Sequence, residues 1–247
     1  MRKLFVLIIF YLRSIIDRWT FMKVKIIYIF MFILALGVQT SCVESTYTDG
    51  HEWVDLGLPS GTLWATCNVG ANSPEEYGDY FAWGETQPKE NYNSYTYKYY
   101  LDTPQTKYGY APIKYCTDSE YGRVDNRNEL EPEDDAATAN WGNSWQTPSL
   151  EQFKELFYIE NTAITWTTLN GVSGRMIKSK KNGNSIFLPN AGYYSGLSWG
   201  NKKNIESYWS RSLDFYPFLA DCINLYNPNI KCRHHRYMGM PVRPVRK

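Results

Sequence analysis

The segment Trp53-Val54-Asp55-Leu56-Gly57-Leu58-Pro59-Ser60-Gly61-Thr62-Leu63-Trp64-Ala65-Thr66-Cys67-Asn68-Val69 sets two runs of β-forming residues on either side of a Pro-Ser-Gly break. Residues 53–56 read as a strand, 59–61 as a turn and 62–69 as a second strand. Further along, Pro148 precedes Ser149, which stands with Gln152 in the S-x-x-Q register of a capping box. Leu150, Phe153, Leu156 and Phe157 recur on one helical face, so a helix begins at Ser149. Asn182-Gly183 is expected to turn a hairpin between 175–177 and 185–188, and 208–210, 222–226 and 242–245 read as further strands. Pro241 and Pro244 confine the last of these to an edge or a bulge. Strand pairs around one or two helices, joined by long irregular loops, specify an α+β domain.

The 247 residues carry 26 basic and 25 acidic side chains, a balance that conceals two unlike parts. Residues 1–42 hold Arg2, Lys3, Arg13, Arg18, Lys23 and Lys25 against Asp17 alone, leaving 20 basic and 24 acidic groups beyond them. A net-acidic body argues against nucleic acid as a partner, and 17% aromatic with 21% charged residues argues against disorder. Within the first part, Met22-Lys23-Val24-Lys25 supplies a positive start and 26–38 an uninterrupted apolar run. That run is too short to span a bilayer as an ordinary helix and suits an export signal. The expected organisation is an upstream extension of the reading frame at 1–21, a signal peptide at 22–41, a lipidated tether at 42–50 and a domain at 51–247. Cys42, after small Thr40 and Ser41, resembles the acylated cysteine of a bacterial lipobox, with Gln39 departing from the usual aliphatic residue. An ordinary cleaved signal and a retained anchor are the alternatives. Acylation at Cys42 places the protein at the outer membrane or cell surface, in contact with the membrane through its lipid.

Export also governs the remaining cysteines, Cys67, Cys116, Cys222 and Cys232, which allow two disulfides in three pairings. Cys67 with Cys116 and Cys222 with Cys232 is the preferred arrangement, free thiols the alternative. No CxxC spacing supports zinc or a redox pair. Residues 91–100 contain five tyrosines, expected to form an irregular insertion whose rings pack inward while the hydroxyls stay wet. Residues 118–135 contain eight carboxylates without the spacing of an EF-hand loop, and are read as a solvated acidic loop leading into a helix, with calcium left open. The basic C-terminal residues Lys231, Arg233, Arg236, Arg243, Arg246 and Lys247 are expected to pair with that loop or to attract an anionic ligand.

Residues 53–65, Tyr77-Gly78-Asp79-Tyr80-Phe81-Ala82-Trp83-Gly84-Glu85, Asp134-Asp135-Ala136-Ala137, Trp141-Gly142-Asn143-Ser144-Trp145, Thr147-Pro148-Ser149, Tyr208-Trp209-Ser210 and 239–245 together resemble the Fibrobacter succinogenes major paralogous domain. The resemblance runs over nearly the whole body. It implies a C-type-lectin-like fold of the sulfatase-modifying-factor branch, in which N- and C-terminal strands pair and a long irregular region is displayed. Function does not follow from fold. The oxidase activity of the formylglycine-generating enzymes requires a cysteine motif that Cys222 and Cys232 do not reproduce.

No G-x-S-x-G, H-E-x-x-H or Walker loop occurs, and His51, His234 and His235 are the only histidines. No catalytic, metal or cofactor site is assigned. The segment 213–240 mixes polar and aromatic residues between framework strands, a composition suited to recognition. Asp214, Phe215, Tyr216, Tyr226, Asn227, Asn229, His234, His235 and Tyr237 are the candidate ligand-binding residues, for a glycan or protein ligand at the cell surface. Relatives with this fold include retroelement-diversified proteins, which implies that such a face varies. The alternative functions are a structural subunit of a surface assembly and an oxidase of the formylglycine-generating type.

Overall fold

The computed structural model describes residues 45–101, 111–200, 207–227 and 231–246, all within one unit, Val43–Lys247. Cys42 and Asn229 lie outside the described residues. The strands in chain order are Ser45–Thr48 (β1), His51–Asp55 (β2), Leu63–Ala65 (β3), Thr162–Leu169 (β4), Val172–Ser179 (β5), Ser185–Pro189 (β6), Tyr193–Ser195 (β7), Ser198–Gly200 (β8), Ser207–Leu213 (β9), Leu219–Asn224 (β10), Lys231–His235 (β11) and Val245–Arg246 (β12). Two helices, Ala136–Trp141 (α1) and Leu150–Phe157 (α2), separate β3 from β4. The strands form small antiparallel sheets ordered β1-β2-β3-β12, β11-β10-β9, β4-β5-β6 and β7-β8, so the domain is α+β.

The opening segment pairs as Trp53↔Ala65 and Val54↔Trp64, and Val245 takes the other side of Trp64. The first and last strands of the unit thus share a sheet. β12 is its edge, where Pro244, lacking an N–H, still accepts from Ala65 N at 3.0 Å. β3 stops at Ala65 although residues 62–69 are rich in strand formers. The Ala65 and Thr66 carbonyls accept from the Arg243 guanidinium at 3.1 and 2.6 Å and are lost to a longer ladder. Residues 45–50 are not a tether. Asp49 and Gly50 adopt φ of +52° and +81°, the left-handed pair that closes a two-residue hairpin between β1 and β2. The tight Asn-Gly turn lies at Asn170-Gly171 between β4 and β5, with φ of +47° and +85°. Asn182-Gly183 sits instead in a wider loop, closed by Ser179 N donating to Asn184 O at 2.8 Å.

α2 begins as expected, with Ser149 Oγ accepting from Gln152 N at 3.2 Å and Gln152 Oε1 from Ser149 N at 2.9 Å. Its Phe153, Leu156 and Phe157 join Trp64, Val54, Ile177, Leu188, Tyr208 and Ile223 in one apolar core. A second core gathers Trp83, Trp145, Trp209, Met240 and Tyr92, Tyr97, Tyr99 and Tyr100. Among the described residues no helix is long and apolar enough to cross a membrane.

Cys222 and Cys232 face each other across β10 and β11 and form a disulfide, as expected. Cys67 and Cys116 do not pair, contrary to expectation. The Cys116 thiol is buried and donates to Asp118 O at 3.2 Å, its backbone held by Asp125, whereas Cys67 lines a surface cleft beside His51 and Trp141.

Candidate functional site

The loop between β9 and β10 and the end of β11 place the predicted face. Tyr216 N donates to Asp214 Oδ1 at 3.0 Å and Leu219 N to Tyr216 O at 2.8 Å, which folds 214–219 into a tight protrusion. Its tip is Phe215, 77% exposed, edge-on to Tyr216 with centroids 5.3 Å apart. From Tyr216 a row of rings runs back along the surface. Tyr216 stacks with Phe218 at 5.7 Å, Phe218 with His235 at 6.0 Å, and His235 with Tyr237 at 5.0 Å. Buried Tyr121 supports both Tyr216 and Phe218, and the half-exposed Arg233 guanidinium lies over the Tyr216 ring at 5.6 Å. Packed aromatic rings hold one another in place.

Phe215, Tyr216, His235 and Tyr237 are therefore brought together, and Tyr121, Phe218 and Arg233 join them. Phe218 is half-buried, packed against the core below. Asp214 is a correction. It is 3% exposed, accepts from the loop backbone and sits 3.7 Å from Arg233, so it shapes the protrusion from beneath. His234 is also removed from the face. Side chains alternate along β11, so it turns away from His235, towards the disulfide, where burial and His235 lower its pKa to about 4. Tyr226 belongs to another group, 4.9 Å from Trp166, whose ring carries the Arg175 guanidinium at 4.2 Å. Asn227 follows it, exposed, its N–H given to Asn224 Oδ1.

The tyrosine-rich segment proves structural, and four of its five hydroxyls are bonded inward rather than wet. Tyr92 donates to Tyr80 O at 2.5 Å, Tyr97 to Trp83 O at 2.6 Å, Tyr99 to Asp134 and Tyr100 to Phe218 O at 2.9 Å. Only Tyr95 of the five is exposed. At their centre lies Arg236, fully buried. It donates to Tyr97 Oη and Pro217 O, both at 2.8 Å, and to Lys114 O at 3.1 Å, while its guanidinium lies 4.9 Å from the Trp83 ring centre. The composition of 91–100 signalled aromatic packing, but nothing in the sequence links it to a cation 136 or more residues later.

Among the described residues the acidic loop pairs with cations other than those of the basic tail. Lys114 Nζ lies among Glu131 at 2.7 Å, Glu133 at 3.5 Å and Asp134 at 2.5 Å, while Arg127 pairs with Glu131 at 2.6 Å and Arg211 with Glu129 at 3.2 Å. Burial raises the Asp134 pKa, but the bonds from Lys114, Tyr99 and Tyr115 outweigh it and hold the carboxyl below its ordinary value. The Lys114 ammonium brings one positive charge to these three carboxylates. A second cluster, Cys222, Cys232 and His234, has its sulfurs tied up in the disulfide. Arg236 and Arg243, the centre of the basic tail, are instead buried against backbone carbonyls.

No family model, curated protein or solved structure matches the chain.

Proposed function

We propose that the chain is an exported surface lipoprotein, anchored through Cys42, whose C-type-lectin-like domain binds a protein ligand non-catalytically through the aromatic face. The observation that carries the reading is the row Tyr216–Phe218–His235–Tyr237 with Phe215 projecting from its end. A rigidly supported, exposed aromatic beside an arginine has the character of an interface anchor, which releases much apolar area from water at little entropic cost. The sharing of one sheet by β2, β3 and β12 supports the lectin-like assignment.

The test is binding of the protein to arrayed surface proteins and glycans, with Phe215→Ala, Tyr216→Ala, His235→Ala and Tyr237→Ala compared singly. Phe215→Ala is expected to weaken binding to a protein ligand at least tenfold with an unchanged melting temperature, whereas Asn227→Ala leaves it unaltered. Glycan binding sensitive to the same substitutions would replace the protein reading by the glycan one. Indifference of all binding to the four substitutions would remove the face.

A further inference from the structure

The sheet β11-β10-β9 gathers three metal-binding side chains on one face. Cys222 of β10 is paired directly with Cys232 of β11, and two positions along the same ladder Ala220 is paired with His234. Side chains two apart on a strand point the same way, so Cys232 and His234 stand side by side with Cys222 across from them. The distances agree: one donor atom from each residue, two sulfurs and an imidazole nitrogen, lie within 4.8 Å of one another. Arg233, between the two β11 residues, turns to the opposite face and lies over the Tyr216 ring. The cysteines are 10 residues apart in sequence, so the ladder makes the cluster and no short motif announces it.

The arrangement belongs to the backbone rather than to the bond between the sulfurs. Successive pairs from Leu219↔His235 to Ile223↔Lys231 hold β11 to β10, and β9 holds β10 from its other side. Opening the disulfide therefore leaves the three side chains on one face. No described residue hydrogen-bonds the half-buried His234 ring, and Ser207 Oγ lies 3.7 Å from the Cys232 sulfur, placed to donate to a thiolate. Two donor atoms on one tetrahedral ion stand about 3.5–3.8 Å apart, given bonds of about 2.3 Å to sulfur and about 2.0 Å to nitrogen. The imidazole has to approach by no more than about 1.3 Å and the freed sulfurs to part, movements that side-chain rotation supplies.

We propose that, with the Cys222–Cys232 bond open, Cys222, Cys232 and His234 form a three-donor site for a divalent ion of the zinc class, and that the disulfide closes it. Disulfides form in oxidising compartments, so the chain begins with both thiols free. Two thiolates and one imidazole, with no carboxylate among them, select zinc over calcium or magnesium and leave a fourth position for water. A dithiol reopens the bridge by exchange: the S–S bond breaks, the dithiol gives up two hydrogens and becomes a disulfide, and Cys222 and Cys232 become thiols. Zinc then forms two bonds to sulfur and one to nitrogen, and both thiol protons pass to solvent. While the ion is bound both sulfurs are engaged, so the disulfide re-forms only on its release.

The test uses the full chain carrying Cys42→Ser, titrated with zinc(II) against a chromophoric chelator. The oxidised protein is compared with protein reduced anaerobically by a phosphine, which takes up the oxygen of a water molecule as the bridge opens. The oxidised protein is expected to retain no zinc and the reduced protein one equivalent. Cobalt(II) in place of zinc is expected to show thiolate-to-metal absorption and the intense visible bands of a tetrahedral site. In the reduced state Cys222→Ser abolishes retention, His234→Gln weakens it at least tenfold, and Cys67→Ser or Cys116→Ser leaves it unchanged. Circular dichroism follows folding throughout. Equal retention by oxidised and reduced protein, wild-type retention by His234→Gln, or a reduced protein that takes up no zinc, folded or unfolded, overturns the proposal.

Discussion

Arg236 organises the most aromatic part of the molecule. Its guanidinium donates to Tyr97, Lys114 O and Pro217 O and lies among Trp83, Tyr97, Tyr99, Tyr100 and Tyr115. Removing the cation while leaving those carbonyls buried strands several acceptors, so Arg236→Met is expected to destabilise by about 3–5 kcal/mol in chemical denaturation. Arg236→Lys recovers only part, because an ammonium cannot reproduce the planar fork. Tyr95→Ala, at the exposed position of the same segment, is expected to change stability by less than about 0.5 kcal/mol. A second residue-scale consequence concerns acid. The folded His234 titrates at about 4 against 6.5 for an ordinary histidine, so between these values the unfolded chain binds the extra proton. The stability present above pH 6.5 is therefore lost as pH falls towards 4, and flattens below it. Because the side chain is only half-buried, the loss is about 1–2 kcal/mol after solvent screening. Denaturation midpoints measured across this range check it, and His234→Gln is expected to flatten the curve.

At the scale of elements, local chemistry was legible at the cap of α2, whereas the two-residue turns at Asp49-Gly50 and Asn170-Gly171 were not read. The capping box at Ser149 and Gln152 forms in both directions, and Gln152 extends it by donating to Thr62 Oγ1 at 3.1 Å. Ser149→Ala is expected to cost about 1 kcal/mol in thermal unfolding, and Ser149→Asp to recover most of it. The Asn182-Gly183 hairpin was placed correctly, yet its turn is wider than the dipeptide implies, since Ser179 and Asn184 close it first. Residues 62–69 look like one strand and yield only β3, because Arg243 captures two of their carbonyls. Such a contact joins positions that sequence periodicity cannot relate. The candidate face divides for the same reason. Phe215, Tyr216, His235 and Tyr237 converge through the pairing of β10 with β11, while Tyr226 turns to Trp166 on β4.

For the whole molecule, the positive start at Met22–Lys25 and the apolar run 26–38 remain the basis for the export reading. If Cys42 carries a lipid, Cys42→Ser is expected to shift the protein from the membrane to the soluble fraction on cell fractionation and to abolish incorporation of labelled fatty acid. The fold that would then be displayed is joined at both ends through β2, β3 and β12, leaving the β9–β10 protrusion free to project. Recognition through that protrusion is tested most directly by placing a photocrosslinking amino acid at position 215, and as a control at position 159, in protein on intact cells. Ultraviolet irradiation is predicted to give a discrete crosslinked protein from position 215 that excess unlabelled protein suppresses, and none from position 159. Equal crosslinking from both positions, or none from 215, would contradict recognition through the aromatic face.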